Sequence, residues 1–229
     1  MESLQPRSLV GQSNSTRSKY GGSMVVGITG GPGTGKSEVT ERLRRRGAIV
    51  FSADEASRAV VPQGGRLLEE ITAAFGSGVL ARDGSLDRTA LGLRIFADSG
   101  ARARLNEIMH PAILRLLGAQ IEAAKADMPE GSIIAVEIPL LFEASLTSWF
   151  ELVVVVGASE ATQIARLAAR NGLDEDEARR RLDSQWPIAK KVEWADFVIW
   201  NEGSLSELDR AVDRLWEQLT QSEPNRRRN

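Results

Sequence analysis

Gly30-Gly31-Pro32-Gly33-Thr34-Gly35-Lys36-Ser37 fits the spacing G-x-x-x-x-G-K-[ST] of a phosphate-binding loop. The residue types have physical reasons. Glycines let the backbone curl so that successive N–H groups converge on phosphate oxygens. A helix beginning at the loop's end adds partial positive charge at the same place. Lys36 can reach the β- and γ-phosphates, and the Ser37 hydroxyl can ligate Mg²⁺. The flanks supply the required setting. Residues 24–29 (Met-Val-Val-Gly-Ile-Thr) form a short, mostly apolar run, the pattern of a buried parallel strand. Val39 and Leu43 then lie four apart and Gly47 follows, which predicts a helix over 37–46 with a glycine stop.

Bulk properties set the bounds. The chain has 229 residues, 42% hydrophobic and 26% charged, enough for an ordinary globular core. It has no cysteine, which excludes a disulfide framework and a thiolate metal site and fits a reducing, cytoplasmic setting. No apolar run has the length of about 20 that spans a bilayer. A net charge of −2 exerts no global pull on nucleic acid. Residues 1–23 are polar, almost free of apolar side chains, and read as a disordered extension lacking a secretory h-region. With Arg, Ser and the single acid Glu2 they are open to a transit peptide, and they fit better an appended tag or an over-long start, with Met24 opening the fold. Residues 222–229, with Arg226-Arg227-Arg228, read as a solvated basic tail.

A second apolar run, 48–51, leads into Ser52-Ala53-Asp54. Asp54 thus lies just past the carboxyl end of a strand, where open α/β sheets bind ligands; its position equally suits the N-cap of a helix over 55–61. Residues 66–125 read as helical and without a clear strand, an insertion between the second and third strands. Gly76 ends one helix, Asp83-Gly84 forms a turn, Asp87 caps the next helix, and His110-Pro111 interrupts a third. His110 is the only histidine, open to a structural role or to substrate binding. Further strands fall at 133–138, 152–156 and 197–200. Glu137 ends the third strand, either as a carboxylate for the Mg²⁺ shell or as an incidental charge. Residues 162–171 form a helix with Arg166 and Arg170 on one face. Asp174 with Glu177 opens another over 175–185. The pair reads as a lid gripping a triphosphate or as a solvated hairpin. Ser204 with Glu207 caps a final helix striped by Leu205, Leu208, Val212, Leu215 and Leu219.

The ordered set of motifs resembles the dephospho-coenzyme A kinases from about Met24 to Leu219. It comprises residues 27–37, Ala53-Asp54 with Arg58, Phe75-Gly76, Leu86-Asp87-Arg88, His110-Pro111, Pro139-Leu140-Leu141-Phe142-Glu143, Gln185, and Ala195-Asp196 with Asn201. The resemblance implies an α/β, P-loop NTPase fold: a five-stranded parallel sheet with flanking helices, spanning 24–221. Within it would lie a helical CoA-binding insertion at 62–125 and a lid at 160–192. It implies transfer of the γ-phosphoryl of ATP, with Mg²⁺, to the ribose 3′-hydroxyl of dephospho-CoA. Catalysis would fall to Asp54, Lys36, Arg166 and Arg170, with Asp54 as the base. ATP would meet Gly31, Pro32, Gly33, Thr34, Gly35, Lys36, Ser37, Glu38 and Asn201, the last near adenine, with Ser37 on the metal. The acceptor would meet Asp54, Arg58, Phe75, Arg88, His110, Pro139 and Leu140. The implied partners are these small molecules, with no nucleic acid or membrane, in a monomer or weak homo-oligomer. One departure stands out: such kinases usually read Asp-Ala-Asp where this chain has Ser52-Ala53-Asp54, which puts in doubt a second carboxylate contact to Mg²⁺ there.

Overall fold

The computed structural model describes residues 22–221; the expectations for residues 1–21 and the basic tail lie outside the described residues. The elements run β1 (Met24–Gly30), α1 (Lys36–Arg45), β2 (Ile49–Ser52), α2 (Ala53–Ala59), α3 (Arg66–Phe75), α4 (Arg88–Ala97), α5 (Ser99–Asp127), β3 (Ile133–Glu137), β4 (Leu152–Gly157), α6 (Glu160–Asn171), α7 (Glu175–Asp183), α8 (Ile188–Glu193), β5 (Phe197–Trp200) and α9 (Leu205–Gln221). The strands form one sheet in the order β2-β3-β1-β4-β5. β1 pairs in parallel with both β3 and β4, and β4 with β5. The glycine loop therefore leaves the carboxyl end of the central strand, where the connections diverge to opposite sides of the sheet. Gly22 and Ser23 belong to the ordered chain: the Gly22 carbonyl accepts from Gly131 N at 2.7 Å, and Ser23 is buried. No helix among the described residues is long and apolar enough to cross a membrane.

Two compact units arise from this chain, one of residues 22–50 and 124–221 and one of Phe51–Ala123. The first is the sheet unit. Val26 and Ile28 of β1, Val39 and Leu43 of α1, Val154 and Val156 of β4, Ile199 of β5, and Leu208, Val212 and Leu215 of α9 share one core. Unbroken apolar strands follow from burial on both faces. In the helical unit, Leu68, Ile71, Phe75, Val79, Leu91 and Met109 make a separate core. Gly76 stops α3 at φ 78°, and the Asp87 carboxylate caps α4 by accepting from Thr89 N and Ala90 N. Asp83 Oδ1 holds the expected turn through Ser85 N.

Two expectations need correction. His110-Pro111 does not interrupt a helix: α5 runs through it as a single helix of 29 residues. An internal proline costs about 3 kcal/mol, but Met109, Leu117 and Ile121 on either side are buried. Each such burial returns about 1.5–3 kcal/mol, so packing overrides the local preference. Nor does Asp54 cap α2. Ser52 does, its hydroxyl accepting from Asp54 N at 3.2 Å, which places Asp54 in the first helical turn.

Candidate active site

The sheet unit builds a phosphate cradle. Gly35 is the left-handed residue before α1, at φ 88°, and a Cβ there would land on the Asn201 amide nitrogen. Gly33, at φ 73°, would press a Cβ onto the backbone of Gln163. Glycine is thus required both by conformation and by close approach. Thr34 is buried, its hydroxyl donating to the Gly31 carbonyl at 2.9 Å. Lys36 Nζ donates to the carbonyls of Gly31 (2.8 Å) and Gly30 (3.2 Å), which holds the ammonium over the loop. Glu38 N and Val39 N already close on the Gly35 carbonyl, at 3.1 and 3.3 Å, so α1 opens directly at the loop's end, where a helix carries partial positive charge. Pro32 lies at the tip, half-buried.

Ser37 and Glu137 come together at the cradle's edge. Ser37 Oγ donates to Glu137 Oε1 at 3.2 Å, and Thr40 Oγ1 donates to Glu137 Oε2 at 3.1 Å. β3 lies beside β1 with Glu137 level with Ile28, so sheet register delivers the carboxylate to the start of α1. A hydroxyl and a carboxylate side by side, with the second carboxylate oxygen anchored by Thr40, are hard oxygen donors suited to Mg²⁺. Among the described residues no cluster of three or more acidic, His or Cys side chains could hold a metal by itself. Two protein ligands completed by phosphate oxygens and water is the usual Mg²⁺ arrangement.

The other nucleotide-side residues divide. Asn201 is buried beneath the loop: its Nδ2 donates to the Thr34 carbonyl at 2.9 Å. Arg166 bridges the same two segments, donating to the Gly33 carbonyl (3.3 Å) and the Asn201 carbonyl (2.9 Å). Arg170, one turn on, is exposed and has no partner among the described residues. Glu38 turns away, its carboxylate bound to Arg42, which also pairs with Asp209 of α9 at 2.6 Å. Glu202 ties the β5 end to α6, accepting from Ser159 N and from Thr162 Oγ1; these donors hold its carboxyl below the usual range. Gln163, which cups Gly31 and Gly33 and donates to the Ala158 carbonyl at 2.9 Å, was missed from the sequence. A lone Gln on an amphipathic helix carries no signal of that role.

Pro139 and Leu140 follow Glu137 in the sheet unit and are half-buried. The Pro139 carbonyl accepts from Thr29 Oγ1 at 3.1 Å and from Lys191 Nζ at 2.8 Å.

In the helical unit, the Asp54 carboxylate is exposed and has no partner among the described residues. Arg58, one turn on, is likewise exposed and unpaired. Arg88 reaches α2, donating to the Ser57 carbonyl at 3.4 Å; burial and the neighbouring Arg58 charge push its pKa down. Two close guanidiniums with no acid between them suit an anion. Phe75 is elsewhere, in the unit's core. His110 is half-buried on α5, and burial lowers its pKa.

The sequence model of a family described as dephospho-CoA kinase matches residues 24–207. A dephospho-CoA kinase of Geobacillus kaustophilus is 42% identical over 199 residues, covering 86% of this chain and 98% of that protein. A Thermus thermophilus crystal structure titled TT1252 superposes with a TM-score of 0.72 at 32% identity, over 87% of this chain and 99% of that one. A dephospho-CoA kinase structure from Campylobacter jejuni gives 0.65 at 25% identity, over 87% and 98%.

Proposed function

We infer the working of this site from one premise: the chain belongs to the dephospho-CoA kinase family. It phosphorylates dephospho-CoA from ATP, giving CoA and ADP in the last step of coenzyme A synthesis. The observation that carries the residue assignment is the pairing of Ser37 with Glu137 beside a glycine loop clasped by Lys36. Phosphoryl transfer asks for positioning and charge neutralisation more than for covalent help.

In our reading, residues 31–37 receive the triphosphate on backbone amides, and Lys36 exchanges its loop carbonyls for phosphate oxygens. Ser37 and Glu137 would hold Mg²⁺, which when bound neutralises charge on the β- and γ-phosphates. Arg166 and Asn201 fix the loop's shape, and Asn201 presents its remaining amide oxygen on the nucleotide side. Arg170, with no partner among the described residues, supplies positive charge to the transferring group. Asp54 accepts the proton of the attacking 3′-hydroxyl, for which an unpaired carboxylate is suited. Arg58 and Arg88 take the acceptor's diphosphate, while His110, Pro139 and Leu140 contact its remaining parts. Phe75 contributes from the core, by shaping the helical unit. We assign residues 62–125 to acceptor binding and 160–192 to a lid that excludes water.

An ADP-release assay across dephospho-CoA, nucleosides, nucleotides and small alcohols tests the reading. Turnover with dephospho-CoA alone is expected. Turnover on a nucleotide with none on dephospho-CoA would overturn it.

A further inference from the structure

Among the described residues, the reaction as assigned above leaves two buried cations unused, Arg42 and Lys191. Lys191 of α8 is fully buried, at 0% side-chain exposure. Its ammonium has three protons, and three acceptors meet it: the Pro139 carbonyl at 2.8 Å, Gln185 Oε1 at 3.1 Å and Glu143 Oε1 at 3.0 Å. Burial lowers its pKa while the Glu143 carboxylate opposes that shift. A buried ion pair stabilises a fold little better than packed hydrocarbon would, so stability alone gives little reason for a lysine here. Its partners do. Glu143 Oε1 also accepts from Trp186 N at 2.8 Å, and the Trp186 ring stacks on Phe142 with Lys190 Nζ 3.5 Å from its centroid. The Pro139 carbonyl is the same one that Thr29, next to the first loop glycine, binds at 3.1 Å. Lys191 thus knots three segments: the end of β1, the turn 139–143, and the stretch 185–191 after α7.

We propose that Lys191 is a positioning residue for the acceptor: it fixes Pro139 and Leu140 through the Pro139 carbonyl and ties that turn to the segment following α7. The proposal rests on the acceptor role given above to Pro139 and Leu140. Lys191 touches neither substrate. A carbonyl held by two donors cannot rotate, and reacting groups tolerate little misplacement.

Two variants test this from different sides. Lys191→Met with Glu143→Gln removes both charges and keeps an acceptor for Trp186 N. Thr29→Val leaves the ion pair intact and removes the second donor to the same carbonyl. Each is measured for melting temperature, KM for ATP, and kcat and KM for dephospho-CoA. The double variant is expected to raise the acceptor KM about 10-fold or more, with the ATP KM within about 2-fold of wild type. Thr29→Val should shift the acceptor KM in the same direction by a smaller factor. If the double variant does not fold, Thr29→Val alone decides. An unchanged acceptor KM in the folded variants, or an equal rise in both KM values, overturns the proposal. Wild-type protein inert toward dephospho-CoA would instead sink the functional reading, and this one with it. Active wild type with unaffected variants sinks only the positioning role.

Discussion

In the reading proposed above, Asp54 is the base on which the chemistry turns. Its carboxylate is exposed, carries no ion pair among the described residues, and sits in the first turn of α2 rather than at its cap. Apart from its first-turn place at the positive end of α2, worth about 0.3–1 kcal/mol, its charge has no partner among the described residues, so a substitution largely separates chemistry from stability. Asp54→Asn should lower kcat by about 10²-fold or more while leaving the melting temperature and ATP affinity near wild type; steady-state kinetics with thermal unfolding check this, and near-normal turnover would reduce Asp54 to a surface acid. His110 gives a pH signature. Burial holds its pKa below the free-imidazole value, so the native protein resists a proton that the unfolded chain accepts. Stability should therefore fall as pH drops through about 6.5 toward the depressed native value, and be fully retained above it. Urea unfolding of wild type and His110→Gln across that window should show a shallower slope in the variant. Equal slopes would contradict the assignment.

At the scale of elements, Ser52 shows how one residue can be lost to one role and suited to another. Where the resemblance implies a first aspartate, this chain has a serine hydroxyl that satisfies one opening amide of α2, that of Asp54. Ser52→Ala should cost about 1 kcal/mol of stability with kcat unchanged, as measured by chemical denaturation and turnover. A fall in kcat without loss of stability would mean that the hydroxyl acts in the reaction. Local chemistry was what the sequence made readable. The cradle of residues 30–37, the Asp87 cap, the Gly76 stop and the Asp174–Glu177 capping box are each specified within a few residues of chain. One error was local, the cap of α2 falling to Ser52; the remaining gaps lie where distant packing decides. α5 passes through Pro111 because buried residues flank it. Lys191 carried no sequence signal, because its partners Glu143 and Pro139 come from about fifty residues away. Glu137 stayed ambiguous because only the β1–β3 register sets it beside Ser37.

For the whole molecule, the proposed reading would have the sheet unit grip the nucleotide and the helical unit supply the base and an anion site. The sheet order puts the glycine loop, Glu137 and Asn201 at the carboxyl ends of β1, β3 and β5, so a single edge of the sheet gathers residues from across the chain. The central claim is that this assembly moves a phosphoryl group from ATP onto one particular hydroxyl. The most direct measurement compares dephospho-CoA with its 3′-deoxy analogue, following ADP release and locating the new phosphate by phosphorus NMR. CoA bearing a 3′-phosphate, with no ADP above background from the analogue, is the result predicted. Equal ADP release from both, or a phosphate at any other position, would contradict the account.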